Sequence, residues 1–191
     1  MRVTNQESDN LYADMILKVL GAKSRGDGSF AGGVAAVRDV MRELGVPAAG
    51  YAAVDGSGLA RDSKLSAAAI VALLEAMDRH PLGPVYKDSL AIGGRDGTLR
   101  KRFREPQVAG RVHAKTGSLD GVSALSGYVD SVSGEPFAFA TLVNSEKGDR
   151  RRETRTGSSA SWPGSRRDEW ESRSRRRARP RRRHRGRPAR G

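Results

Sequence analysis

Cysteine is absent from the 191 residues. Its absence excludes disulfides, thiolate metal sites and a cysteine nucleophile. No apolar run is long enough to span a bilayer as a helix, so no transmembrane segment is expected. The opening MRVTNQESDN lacks a basic stretch followed by an apolar one. No signal peptide is therefore expected, and the chain as written would stay in the cytoplasm. A further absence is local: residues 148–191 contain no Leu, Ile, Val, Met or Phe. Such a segment buries too little apolar surface to offset the entropy of ordering it, which predicts a disordered tail.

Charge follows the same division. The chain carries a net +13, yet residues 148–191 hold 17 Arg against 5 acidic residues. Residues 1–147 are almost neutral, with 18 basic and 17 acidic side chains. Basicity thus describes an appendage, and a nucleic-acid partner would have to act through it. Trp162 and Trp170 are not interleaved with the densest arginines, which weakens a base-stacking role. The tail vocabulary of Arg, Pro, Gly and Ser is also that of a GC-rich frame read out of phase. The organisation expected is one domain over 1–147 and a disordered Arg-rich tail over 148–191, with the boundary near 146–149.

Within the body, apolar spacing predicts a helix over 8–20, capped by Ser8, with Leu11, Met15 and Val19 in step and Gly21 as its stop. A second helix is expected over 30–44, ended by Gly45. A short extended piece at 51–54 leads into the turn Asp55–Gly58. A third helix starts from Ser66 as cap, turns Ile70, Leu73, Leu74 and Met77 inward, and stops before Pro81. Residues 82–97 read as loop, and 98–103 as a helical turn. The period then changes to that of strands, over 111–115, 122–129 and 136–143, joined by hairpin-length connections. The fold class is α+β, an antiparallel sheet packed with helices.

Two short strings carry chemical promise. Ser8-Asp9-Asn10 heads the first helix, and Lys115-Thr116-Gly117 closes the first long strand. Alone, the plain readings are a helix cap and a strand end. Their order and context favour more. A lysine and a threonine hydroxyl suit a terminal carboxylate. A glycine lets a peptide backbone approach a strand edge. A serine and an asparagine two residues apart suit a proton relay and an amide contact. His80, His113 and His184 have no metal-ligand spacing, and neither a metal nor a cofactor is expected.

S-D-N and K-T-G are two of the three signatures of serine penicillin-binding proteins. The strings ESDNLYADMILKVLG (7–21), DGSGLARDSKLSA (55–67), GGRDGTLRKRF (93–103), VHAKTGSLDGVSALSGYV (112–129) and PFAFATLVN (136–144) resemble one family. It is the D-alanyl-D-alanine carboxypeptidase/endopeptidase family, the class C low-molecular-mass penicillin-binding proteins. The resemblance implies a partial transpeptidase-like fold. It also implies a serine-type, extracytoplasmic peptidase acting on peptidoglycan stem peptides that end in D-Ala-D-Ala, with β-lactams as inhibitors. It assigns Ser8 and Asn10 to catalysis and Lys115, Thr116 and Gly117 to substrate binding. Asp55 to Leu59 resemble a loop beside the site, with no chemistry assigned.

The third signature, S-x-x-K, carries the nucleophile. No serine here has a lysine three positions on. The chain therefore reads as the C-terminal catalytic portion of such an enzyme, inactive in isolation. Competing readings are a nucleic-acid binder acting through its basic tail and an inert remnant.

Overall fold

The computed structural model describes residues 1–145. The expected boundary near 146–149 and the tail lie outside them. Five helices are described: α1 (Arg2–Gln6), α2 (Asn10–Arg25), α3 (Phe30–Glu43), α4 (Ala67–Arg79) and α5 (Gly83–Ser89). β1 (Tyr51–Ala52) pairs with β2 (Lys64–Leu65). β3 (Ala91–Ile92), β4 (Val112–Leu119), β5 (Val122–Asp130) and β6 (Pro136–Asn144) form an antiparallel sheet in chain order. The class is α+β, as the patterning predicts.

The helix starts follow from side-chain caps. Ser29 and Ser66 accept from the backbone N–H groups of Gly32 and Ala69, satisfying donors that the first turn leaves free. At α2 the cap is Asp9, not Ser8: its carboxylate accepts from Tyr12 N at 2.9 Å. Ser8 instead stands outside the helix with φ +60. Gly21 does not stop α2. It is buried under α3, where an added Cβ would lie 2.7 Å from the Gly32 carbonyl carbon. The helix ends at Gly26, φ +72, a left-handed conformation that glycine adopts without a Cβ penalty.

Leu11, Met15 and Val19 locate α2 but do not face a core, being 67%, 50% and 52% exposed. Leu17 and Gly21 are the residues buried against α3. On α4 the expected face is the packed one. Leu74 is buried with Leu90 of the α5–β3 junction and Tyr128 of β5, and Ile70 packs against them. The Tyr128 hydroxyl donates to Leu74 O at 2.7 Å. The opposite face of the sheet carries Val112 and Ala114, packed with Ala91, Leu99 and Phe103.

Two further differences concern 82–119. The stretch expected as loop holds α5, whose Pro84 suits a first turn that needs no N–H there, and β3. K-T-G does not close a strand: β4 runs on to Leu119 and pairs with β5 throughout, from Val112↔Val129 to Leu119↔Val122. Hairpin pairing to β5 supplies the partners that carry the strand through Gly117.

Candidate functional site

Lys115 belongs to the alternate set of β4 residues that faces Tyr128 and the helices. Its Nζ donates to Ser8 Oγ at 2.7 Å and to the Thr116 carbonyl at 2.7 Å. An ammonium has three donors, so one remains for a ligand. Among the described residues no carboxylate lies within ion-pairing distance of it. Burial lowers its pKa from the ordinary lysine value, because desolvation disfavours the charged form. The result is a half-buried cation without a counter-ion among the described residues, a setting that favours binding of an anion.

Ser8 is held there by its neighbours. On one side, α1 is docked on the α5–β3 junction: Asn5 Nδ2 donates to Ser89 Oγ at 2.8 Å and Gln6 Nε2 to Leu90 O at 3.3 Å. On the other, the Asp9 cap fixes the start of α2. The left-handed backbone at Ser8 is uncommon for a residue with a side chain, and these two anchors bracket it. Asn10 opens α2 and is exposed, two residues from Ser8. Its side chain has no hydrogen-bond partner among the described residues, leaving the amide available.

β4 also offers an open edge. Gly93 N donates to Val112 O, so the main-chain groups of Val112 point toward β3. With the strand period of two, those of Ala114, Thr116 and Ser118 point the same way. β3 covers only Ala114 and His113. Among the described residues, no strand pairs with that side of β4 from Lys115 onward. An extended peptide could pair there with Thr116 and Ser118. Gly117 sits between them, and a Cβ on it would lie 3.2 Å from Ala124 Cβ.

The loop from Asp55 to Ser63 ties the two motif-bearing elements together. Asp14 Oδ1, one turn after Asn10, accepts from Gly56 N at 3.0 Å and Ser57 N at 2.9 Å. Arg61 Nη1 donates to Asp120 O, at the β4–β5 turn, at 2.9 Å. Inside the loop, Asp55 accepts from Ala60 N and from the Ser57 and Ser63 hydroxyls. Burial pushes the Asp55 carboxyl up, but these hydrogen bonds, with one from Gly58 N, outweigh it and lower its pKa.

The structure thus joins Ser8 directly to Lys115, while Asn10 follows Ser8 at the start of α2 and Thr116 and Gly117 follow Lys115 along β4. Sequence reasoning did not single out Thr98, in the helical turn Gly97–Leu99. The Thr116 hydroxyl donates to Thr98 Oγ1 at 2.9 Å. The available signal was GGRDGTLRKRF, which stood out as a string but offered no reason to select one residue.

Comparison with known proteins bears on the family and the fold. The sequence profile of the D-Ala-D-Ala carboxypeptidase 3 (S13) family matches residues 1–162. A D-alanyl-D-alanine carboxypeptidase of an Actinomadura species is 38% identical over 146 residues, 74% of this chain and 27% of that protein. Carboxypeptidase DacB of Mycolicibacterium smegmatis is 36% identical over 151 residues, 75% of this chain and 33% of that protein. Among solved structures, penicillin binding protein 4 of Haemophilus influenzae in complex with a β-lactam superposes with a TM-score of 0.72 at 29% identity. That match covers 80% of this chain and 36% of the other. The chain spans about a quarter to a third of the curated relatives' length. With a profile match over most of its length, this chain belongs to the D-Ala-D-Ala carboxypeptidase 3 (S13) family.

Proposed function

We propose that these residues form the substrate-binding and proton-relay side of a serine-type D-alanyl-D-alanine carboxypeptidase/endopeptidase site. The substrates would be peptidoglycan stem peptides ending in D-Ala-D-Ala, met outside the cytoplasm, and β-lactams would occupy the same cleft. The observation that carries the reading is the 2.7 Å hydrogen bond between Lys115 Nζ and Ser8 Oγ, beside the open edge of β4.

In this reading Lys115 and the Thr116 hydroxyl take the terminal carboxylate, and the substrate backbone lies along β4 past Gly117. The Asn10 amide holds a substrate amide. A nucleophilic serine attacks the peptide carbonyl, its hydroxyl proton passing to its own lysine, and the bond to the terminal D-alanine breaks. The departing amine takes a proton from the Ser8 hydroxyl, which recovers one from the nucleophile's lysine, so that Lys115 stays charged on the carboxylate. Water then hydrolyses the acyl-enzyme. No Ser-x-x-Lys pair occurs in the 191 residues, so the proposal places the nucleophile and its lysine on polypeptide outside them. These residues alone would then be inactive.

Two measurements test this. A fluorescent penicillin should leave no adduct on the isolated chain that survives denaturation, and a label mapped to Ser8 or any other serine here overturns the assignment. Joined in frame to an upstream portion that carries a Ser-x-x-Lys pair, the segment should cleave D-Ala-D-Ala peptides. There Lys115→Ala should mainly raise KM, through loss of carboxylate binding, and Ser8→Ala should mainly lower kcat. If both leave kcat/KM within about twofold, neither residue is at the active site.

A further inference from the structure

The proposed site gives the Thr116 hydroxyl a carboxylate to hold, but a threonine hydroxyl does not orient itself. Its χ1 wells exchange hydroxyl and methyl positions, and only one places the oxygen where a ligand meets it. Among the described residues the Thr116 hydroxyl has one side-chain partner, Thr98 Oγ1 at 2.9 Å. Both side chains remain accessible: Thr98 is exposed and Thr116 half-buried. A ligand can therefore reach the pair.

Thr98 is itself firmly placed. The next residue, Leu99, is fully buried with Ala91, Val112 and Ala114. The preceding Gly97 has φ +50, and a Cβ there would lie 3.0 Å from both Ala91 Cβ and the Gln6 carbonyl carbon. Gln6 is two residues before Ser8. Asp96 adds a side-chain tie, accepting from Ile92 N at 2.7 Å. The turn around Thr98 is thus packed against the segment leading to Ser8, while its side chain reaches the K-T-G strand.

We infer that Thr98 is a positioning residue for carboxylate recognition, holding the Thr116 hydroxyl in the rotamer that meets the ligand. This rests on the proposed function, since it presumes that Thr116 binds a carboxylate. Without a ligand, Thr116 donates to Thr98. When a carboxylate arrives, the Thr116 proton turns to it and the Thr98 hydroxyl donates to Thr116 Oγ1 in its place. Only two hydroxyl hydrogens rotate, no heavy atom moves, and the resulting donor chain ends on the anion. No covalent bond changes.

The test compares the unaltered full chain with Thr98→Val and Thr98→Ser. Valine keeps the shape and removes the hydroxyl, whereas serine restores it. The ligands are N-acetyl-D-alanyl-D-alanine and its C-terminal carboxamide, with affinity read from amide chemical shifts in a titration. Thr98→Val should weaken binding of the free acid about three- to tenfold, the range for loss of one ordinary hydrogen bond. It should leave the carboxamide within about twofold, and Thr98→Ser should bind the acid like the unaltered chain. A merely structural role would weaken both ligands alike, and that result overturns the inference. So does equal acid binding by Thr98→Val. If the unaltered chain shows no preference for the acid, the site assignment fails, and this inference with it. Thermal melts of the variants confirm folding, which the exposure of Thr98 favours.

Discussion

Lys115 Nζ and Ser8 Oγ are 2.7 Å apart although 107 positions separate them in the chain. One residue lies in the middle of a strand and the other in a left-handed kink between two helices. Their meeting converts two common tripeptides into one polar site around a cation that has no counter-ion among the described residues.

That cation should give ligand binding a distinctive pH limb. Burial lowers the Lys115 pKa, while in the unfolded chain it titrates near the ordinary lysine value, about 10.4. Affinity for N-acetyl-D-alanyl-D-alanine should fall as pH rises through the lowered value, before ordinary lysines titrate. The carboxamide should show no such fall. Stability moves oppositely. Between the folded and unfolded values the unfolded chain holds more protons, so stability rises with pH in that window. Acid affinity that stays flat up to the ordinary lysine range would remove Lys115 as the carboxylate's partner.

Removing the α2 cap should cost stability near the site. Asp9→Ala leaves Tyr12 N without its acceptor and should destabilise the domain by about 1 kcal/mol. Chemical denaturation measures the loss, and Ser8→Ala provides the comparison. Were Ser8 the true cap, Ser8→Ala would be the more costly of the two.

The Asp55 loop should weaken in acid. Its carboxyl pKa is lowered in the folded state, so its contribution is present above the unfolded value, about 3.9. It is lost as pH falls through the folded one. Asp55→Asn should be less stable at neutral pH and should show a shallower acid limb than the unaltered chain. Unfolding midpoints measured from pH 2 to pH 7 decide this, and parallel curves would show that Asp55 accounts for none of the limb.

The Arg-rich segment 148–191 should attract any polyanion. Its excess charge predicts weak, sequence-blind binding to DNA or RNA that falls steeply with salt. Deleting 148–191 should abolish that binding while leaving the melting of the remaining residues unchanged. A site-specific affinity that persists at high salt would instead favour a nucleic-acid function.

Local chemistry accounts for what was legible without a structure. Ser66 before an apolar run, Gly45 after one and the change to period two near residue 111 each act over a few residues. They specified α3, α4, β5, β6 and the start of β4 closely. The motif strings were legible for the same reason, as contiguous chain. Tertiary packing decided the rest. Gly21 looks like a helix stop until α3 is seen crossing over it, and Leu11, Met15 and Val19 follow a core period while lying exposed. Ser8 and Asp9 are both good caps by composition. Docking α1 on Ser89 and Leu90 gives the cap to Asp9 and frees the Ser8 hydroxyl for Lys115. Thr98 was beyond sequence pattern altogether, because its relation to Thr116 crosses from a turn to a strand 18 positions away. Periodicity reports which side of its own element a residue occupies. Which residue of another element meets it there depends on how the elements pack.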